Sequence, residues 1–436
     1  MTLIARPGKP LVGEAAVPGD KSCSHRALIL GAMAEGETEI NGLLESDDVL
    51  ATARAVAAFG AKVEQVGPGD WRVTGGAWRS PAEPINCGNS GTTARLLMGA
   101  VAGMPGVSAT FTGDASLSAR PMRRVAAPLE RMGARIEGGD HLPLIIEGGQ
   151  LGGIDHRNVP PSAQVKSALL LAGLGTAASV RVLEPVPSRD HSEIMLAAFG
   201  CDVAVDDTPD GWAVSLGPRR APRGCSLTIG ADPSSAAFPL VAAAIVPGSS
   251  VTVRGMIVNP LRTGLYETLE TMGAEIELSN ERLQSGEIVA DIRLAYAALS
   301  PCHVAADRVP AMIDEIPALA IACAFADGES VIEGLAELMV KESDRLGAMV
   351  AGLTACGVAA IADGDTLRIF GRGAGQGGAV RGGASIVSHG DHRIAMAFLT
   401  LGLGAERPVE VDQAGMIATS FPGYVELMSG LGADIA

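Results

Sequence analysis

Lys341-Glu342-Ser343-Asp344-Arg345 puts two cations and two carboxylates within five positions, a spacing suited to proton transfer on a charged substrate. If the stretch is helical, Lys341 and Arg345 stand at i, i+4 on one face. Like charges there repel by about 0.2–0.5 kcal/mol unless an anion lies between them. Glu342 sits beside the pair as a candidate proton carrier. The alternative is a solvated helix face on which the acids neutralise the bases. Further upstream, Met312-Ile313-Asp314-Glu315-Ile316-Pro317 sets Asp314 at the opening of an apolar helix, as its N-cap or as a second carboxylate for proton transfer.

The remaining cations of interest lie in glycine- and serine-rich phrases. Gly19-Asp20-Lys21-Ser22-Cys23-Ser24-His25-Arg26 opens a helix, where free backbone N–H groups beside Lys21, Ser22 and Arg26 make an anion site. Capping by Asp20 or Ser22 explains the helix start but not the two cations. Asn86-Cys87-Gly88-Asn89-Ser90-Gly91-Thr92-Thr93 also leads into a helix, and its glycines allow close backbone approach to a ligand. Arg120, just before Pro121, is expected in extended backbone. Pro160 to Ser167 opens another helix with Ser162, Ala163, Gln164 and Lys166, and Ser188-Arg189-Asp190-His191-Ser192 follows a strand-like Ser179–Leu183. His191 is read as structural. His389-Gly390-Asp391-His392-Arg393 adds one more Arg at a helix start. Lys21, Arg26, Arg120, Arg189, Lys341, Arg345 and Arg393 together match two small substrates carrying phosphate and carboxylate groups. No Walker A pattern, Rossmann fingerprint, H-E-x-x-H or G-x-S-x-G is present.

A repeated framework carries these phrases. Phe59-Gly60-Ala61-Lys62-Val63, Met132-Gly133-Ala134-Arg135-Ile136 and Phe199-Gly200-Cys201-Asp202-Val203 share one pattern. It returns at Met272-Gly273-Ala274-Glu275-Ile276, Cys356-Gly357-Val358 and Leu431-Gly432-Ala433-Asp434-Ile435, with glycines about 65 to 85 residues apart. Each copy reads as a helix ending at a Gly cap and turning into a strand. About 35 residues upstream of each, a small-residue helix begins near Ser24, Gly91, Ala163, Ser235, Asp314 or Asp391. Three such units per domain, in two domains, is the economical grouping, with the break near Gly230-Ala231-Asp232-Pro233.

Composition narrows the class. The chain has 436 residues, 47% hydrophobic and 19% charged, enough for more than one packed core. Aromatics are only 3% and Gly numbers 56, which favours tight turns and Ala/Leu/Val-packed α/β layers. A net charge of -16 argues against nucleic acid as a partner. The seven cysteines are dispersed without a C-x-x-C pair, so reduced thiols and no structural zinc or other metal are expected. Met1–Pro10 has no apolar leader core, and the run Ala236–Val246, broken by Pro239, is too short to span a bilayer. A soluble, cytoplasmic chain without membrane attachment follows from this reading.

Taken in order, these phrases resemble the 5-enolpyruvylshikimate-3-phosphate synthase family over essentially the whole chain. The carriers are Pro18-Gly19-Asp20-Lys21-Ser22-x-Ser24-His25-Arg26, Gly88-Asn89-Ser90-Gly91-Thr92, Arg120-Pro121-Met122, Ser162-Ala163-Gln164-x-Lys166-Ser167, Asp314-Glu315, Lys341 to Leu346 and Asp391 to Met396. The resemblance implies a two-domain inside-out α/β barrel with three βαβαββ units per domain. On that reading residues 15–230 form the first domain, 1–14 and 231–436 form the second, and the hinge lies near 14–19 and 230–234.

The resemblance also implies the reaction, transfer of the enolpyruvyl group of phosphoenolpyruvate to shikimate 3-phosphate without cofactor or metal, in a monomer whose cleft closes on binding. By motif, Lys21, Ser22, Arg26, Ser162, Ala163, Gln164, Arg189, Asp314 and Lys341 would hold shikimate 3-phosphate. Lys21, Gly91, Arg120, Gln164, Arg345 and Arg393 would hold phosphoenolpyruvate. Asp314, Glu342 and Lys21 would be catalytic. Inhibition by glyphosate is implied by Gly91. Ala418-Thr419-Ser420-Phe421-Pro422 departs from family members that carry a Lys just before Thr/Ser-Phe-Pro. The rival family acting on UDP-N-acetylglucosamine differs in having Lys-Asn where this chain has Lys21-Ser22, and a loop Cys absent from Thr112–Arg124. A non-catalytic anion-binding descendant would be expected to lack Asp314 or Glu342.

Overall fold

The computed structural model describes residues 1–373 and 379–436. The chain groups into two compact units. One comprises Gly19–Ile229 with Gln284–Gly286; the other comprises Met1–Pro18, Gly230–Leu283 and Glu287–Ala436.

Six four-stranded sheets form, three from each unit, all in the same order of first, second, fourth and third strand of a repeat. The sheet built from Ile154–Arg157, Val180–Glu184, Val203–Thr208 and Gly211–Leu216 shows the pattern. Its first two strands pair in parallel across an intervening helix, and the fourth pairs antiparallel with both second and third. Three strands complete a repeat distant in sequence. Ser226–Thr228 opens the first repeat, beside Glu39–Asn41; Val12–Ala15 opens the fourth, beside Ser250–Val253; Leu3–Arg6 closes the sixth, between Val409–Val411 and Asp434–Ile435.

These ladders shift the expected boundaries slightly. Residues 15–18 join the unit of Val12–Ala15, because Ala15 pairs with Val253 and Pro18 O accepts from Asp232 N at 2.9 Å. Gly230 joins it too, as Ala231 N donates to Gly255 O at 3.0 Å. The hairpin tip Gln284–Gly286 groups with the opposite unit, where Thr228 N donates to Ser285 Oγ at 2.8 Å.

The first helix of each repeat is apolar almost all round and lies in the interior. Every residue of Pro233–Ile245 and of Ile316–Ala324 is buried, as are twelve of the thirteen in His392–Gly404. In the other unit, Lys21–Met33, Gly91–Ala102 and Ala163–Gly173 are buried from their first or second turn onward. Small residues permit this packing. A Cβ at Gly99 would come within 2.2 Å of Ala168 O, so these two helices touch backbone to backbone. The second helices end as the repeated phrase predicts: Gly60, Gly133, Gly200, Gly273, Gly357 and Gly432 all have φ between 80° and 113°. An L-residue there costs roughly 1–2 kcal/mol. Among the described residues no helix is long and apolar enough to cross a membrane.

Candidate active site

In the Gly19–Ile229 unit, helix starts place the predicted anion-binding side chains. Asp20 caps Lys21–Met33, its Oδ1 accepting from Cys23 N at 2.8 Å. This leaves Lys21 and Ser22 in the first turn. Lys21 Nζ pairs with Asp48, in the first turn of Asp47–Ala58. One turn on, Arg26 is buried, and its guanidinium donates to Ser192 Oγ at 2.7 Å, Ser167 Oγ at 2.6 Å and Ser22 O at 2.9 Å. All three acceptors are neutral, and among the described residues no carboxylate forms an ion pair with Arg26. Burial, followed by the opposing pulls of nearby charges that include Glu193 and Arg189, leaves its pKa lowered. A buried cation with only neutral partners is electrostatically incomplete and favours an anion.

Ser90 caps Gly91–Ala102, and Ser162 caps Ala163–Gly173. Gln164, in the first turn of the latter, accepts from Arg95 Nη1 at 3.0 Å and donates to Thr92 Oγ1 at 3.0 Å. Arg120 Nη2 donates to Asn89 Oδ1 at 2.6 Å and to Ser116 Oγ at 3.2 Å. Arg120 stands at a bend just after the helix Ala115–Ser118. Its N–H bonds Leu117 O at 3.0 Å and closes the short helix Ala115–Ser118. Gly91 faces two of these cations: a Cβ there would lie 2.7 Å from Arg95 Nη1 and 3.5 Å from Arg120 Nη1. Arg189 follows the strand Val180–Glu184, half-buried, immediately before the helix His191–Ala198.

Folding also gathers Asp20, Cys23 and His191, whose potential ligand atoms lie within 4.8 Å of one another. Their separation in sequence hid this trio. Asp20 is already committed to its cap, and Lys21 and Arg26 in the same helix oppose a further positive charge there. All seven cysteines are free thiols.

The other unit holds the residues expected to carry acid-base chemistry. Lys341 and Arg345 are not on one helical face: Lys341 ends a 3₁₀ turn, Ala336–Val340, and Arg345 begins the helix Arg345–Ala355, capped by Asp344. The cap interrupts the helix because Asp344 Oδ1 takes Gly347 N at 3.1 Å. Both cations nevertheless reach one anion. Asp314 Oδ1 lies 3.6 Å from Lys341 Nζ and 3.4 Å from Arg345 Nη1, and its Oδ2 lies 3.9 Å from Arg393 Nη2. Asp314 is not the N-cap either; the helix starts at Ile316 after Glu315. Arg393 Nη1 donates to Asp314 O at 2.8 Å.

Arg345 is buried and also donates to Glu342 Oε2 at 2.5 Å and to Asp391 Oδ2 at 2.8 Å. Burial opposes its charge, but Asp391, Glu342 and Asp314 outweigh that and raise its pKa. Burial likewise opposes the Asp391 carboxylate, yet Arg345 holds its pKa below the usual value.

Arg95 stands in none of the phrases read from the sequence, while Ser167 and Ser192 stand in two of them without a role. A lone Arg one turn after Gly91, in a helix otherwise made of Gly, Thr, Ala, Leu, Met and Val, was the available signal for Arg95. Lys166 was noted without a role.

A family model described as EPSP synthase (3-phosphoshikimate 1-carboxyvinyltransferase) matches residues 5–428. The chain is 53% identical to 3-phosphoshikimate 1-carboxyvinyltransferase of Phenylobacterium zucineum, over 99% of this chain and 95% of the relative. It is 52% identical to that of Caulobacter vibrioides, over 100% and 98%. Among solved structures, EPSP synthase from Acinetobacter baumannii superposes with a TM-score of 0.87 at 42% identity, covering 100% of this chain and 99% of that one. The enolpyruvyl transferase NikO from Streptomyces tendae, at 20% identity and a TM-score of 0.80, shares the fold. With the match running from the first strand to the last helix, the chain belongs to the EPSP synthase (3-phosphoshikimate 1-carboxyvinyltransferase) family.

Proposed function

We propose that this chain transfers the enolpyruvyl group of phosphoenolpyruvate to the 5-hydroxyl of shikimate 3-phosphate, releasing phosphate by addition and elimination. Lys21, Ser22, Arg26, Ser162, Ala163, Gln164, Arg189, Asp314 and Lys341 hold shikimate 3-phosphate. Lys21, Gly91, Arg120, Gln164, Arg345 and Arg393 hold phosphoenolpyruvate. The observation that carries the reading is Asp314 set among Lys341, Arg345 and Arg393 at 3.4–3.9 Å, with Glu342 on the same Arg345. Three cations hold the Asp314 carboxylate ionised and therefore able to accept a proton beside two anionic substrates.

Asp314 accepts the proton of the 5-hydroxyl as its oxygen attacks the substituted enol carbon. Glu342 delivers a proton to the neighbouring methylene carbon, which becomes a methyl group. In the second half, Glu342 takes a proton back from that methyl group, the double bond re-forms, the C–O bond to phosphate breaks, and the proton held on Asp314 leaves with the phosphate. Such acid-base steps contribute about 10²–10⁴-fold each. Fixed cations lower the cost of bringing two anions together and stabilise charge as it moves. Just before Ser420-Phe421-Pro422, where some family members carry a Lys, this chain has Thr419, so Arg345, Arg393, Arg120 and Lys21 supply the positive charge for phosphoenolpyruvate.

Phosphate release from phosphoenolpyruvate, measured with and without shikimate 3-phosphate, tests the reading. Release dependent on shikimate 3-phosphate is the expected result. Release only with UDP-N-acetylglucosamine would move the chain to the rival activity. Glyphosate at low concentration should inhibit by competing with phosphoenolpyruvate; activity persisting at millimolar inhibitor overturns that part.

A further inference from the structure

Beneath the shikimate 3-phosphate residues lies a charged cluster that the reaction does not use. Lys166 is fully buried, with Nζ 2.7 Å from Glu184 Oε2, 2.7 Å from Glu193 Oε1 and 3.1 Å from Ser188 O. These three acceptors take all three N–H directions of the ammonium. Glu184 is equally buried and fully engaged: Oε1 accepts from Asn158 Nδ2 at 2.7 Å and Ser188 Oγ at 2.6 Å, and Oε2 also accepts from Ser188 N at 3.2 Å. Asn158 Nδ2 donates in addition to Ser162 O at 3.0 Å.

The connections run to both parts of the binding group. Lys166 lies one turn into the helix that Ser162, Ala163 and Gln164 begin. Ser188 precedes Arg189, and Glu193 follows Ser192, whose Oγ receives Arg26 Nε and lies 2.6 Å from Ser167 Oγ. Two carboxylates against one ammonium leave the cluster one negative charge in excess when all three are ionised. Arg26 feels that charge from Glu193. Burial raises the Glu193 pKa against the pull of Lys166; burial also opposes the Lys166 charge, but Glu193 and Glu184 outweigh it, so the ammonium stays protonated. Buried ion pairs contribute little net stability, and a hydrophobic replacement would serve a purely structural purpose as well.

We propose that Lys166, with Glu184 and Ser188, is a positioning device that holds the loop bearing Arg189 against the start of the helix bearing Ser162 and Gln164. It sets the spacing of these groups, together with Arg26, for the anionic substrate without touching that substrate. The proposal rests on the reading of these residues as the shikimate 3-phosphate site.

The test uses Lys166→Met, Lys166→Arg and the milder Ser188→Ala. Shikimate 3-phosphate binding is measured by calorimetry without phosphoenolpyruvate, alongside steady-state kinetics and thermal melting. Losing a charge-assisted bond costs about 1.5–3 kcal/mol. Ser188→Ala should therefore raise the dissociation constant and KM for shikimate 3-phosphate roughly tenfold or more. Its kcat should stay within about threefold of wild type, and its KM for phosphoenolpyruvate, which the cluster reaches only through Gln164, should rise less than that for shikimate 3-phosphate. Lys166→Met should be worse on the same axis, and Lys166→Arg should recover part of the loss. Lowered melting with unchanged shikimate 3-phosphate binding in Ser188→Ala would overturn the proposal and leave the cluster a scaffold. A lowered kcat at constant KM would also overturn it. Because Ser188→Ala keeps every buried charge paired, it decides the matter even if Lys166→Met does not fold. A wild-type chain that binds no shikimate 3-phosphate sinks the site assignment, and the positioning role with it.

Discussion

Asp391 accepts a hydrogen bond from Arg345 Nε at 2.8 Å, and both side chains are buried. Its other oxygen, Oδ1, accepts from Arg393 N at 2.9 Å and so caps His392–Gly404. One carboxylate therefore orients Arg345 and fixes the helix start that presents Arg393. Breaking a buried pair costs about 3–5 kcal/mol, and losing an N-cap about 1 kcal/mol. Asp391→Asn keeps an oxygen for the cap and should raise KM for phosphoenolpyruvate at least tenfold, with a smaller drop in melting temperature than Asp391→Ala. Unchanged KM in the Asn variant would separate Asp391 from substrate binding.

Asp314→Asn preserves the shape of the side chain while removing its charge and its capacity to take a proton. Turnover should fall by about 10²–10⁴. Shikimate 3-phosphate binding, read by calorimetry, should change only a few-fold. Near-normal kcat would remove Asp314 from the chemistry.

Gly91→Ala places a methyl group where it would meet Arg95 Nη1 at 2.7 Å. Arg95 cannot swing away without cost, because it is buried and its guanidinium bonds Gln164 Oε1 and Pro121 O. Displacing it loosens Gln164 as well. With about 1.5–3 kcal/mol for a charged hydrogen bond, KM for phosphoenolpyruvate should rise roughly ten- to a hundredfold. Shikimate 3-phosphate binding measured alone should weaken less, because Arg95 bears on its proposed site through Gln164. Equal losses for both substrates would point to general distortion.

His25 is buried, with Nδ1 2.7 Å from Thr52 Oγ1. Burial, then Lys21 and Arg26, push its pKa well below the usual histidine value. The folded chain keeps His25 neutral while the unfolded chain protonates below about pH 6.5. The unfolded state then binds more protons, so this contribution is present above about pH 6.5 and is lost as pH falls below it, by at most about 1.4 kcal/mol per pH unit. Denaturant unfolding from about pH 7 to about pH 5 should show a shallower loss in His25→Gln than in wild type. Parallel pH profiles would assign the acid sensitivity elsewhere.

Much of the architecture was legible in residue patterns, because its signals are local. A glycine forced to positive φ marks each helix end, and the six repeated phrases all fell on such ends. The small-residue helices expected upstream of each phrase also formed. Strand closure was not legible: Leu3–Arg6, Val12–Ala15 and Ser226–Thr228 complete repeats far away in the chain, and pairing of that kind leaves no local trace. The same applies to residues 15–18, which follow the ladder partner of Ala15 rather than the next helix.

For the site, the sequence by itself determined which cations and carboxylates stand at helix starts, since caps, glycines and charge type are properties of short segments. Only the tertiary structure decided their partners. Lys341 and Arg345 meet at Asp314 although no helix joins them, because a cap at Asp344 starts a new helix between them and a third segment brings the carboxylate. Arg95 reaches Gln164 and Lys166 reaches Glu184 and Glu193 for a related reason. A buried charge must find its counter-charge in three dimensions, and desolvation makes that choice without regard to distance along the chain.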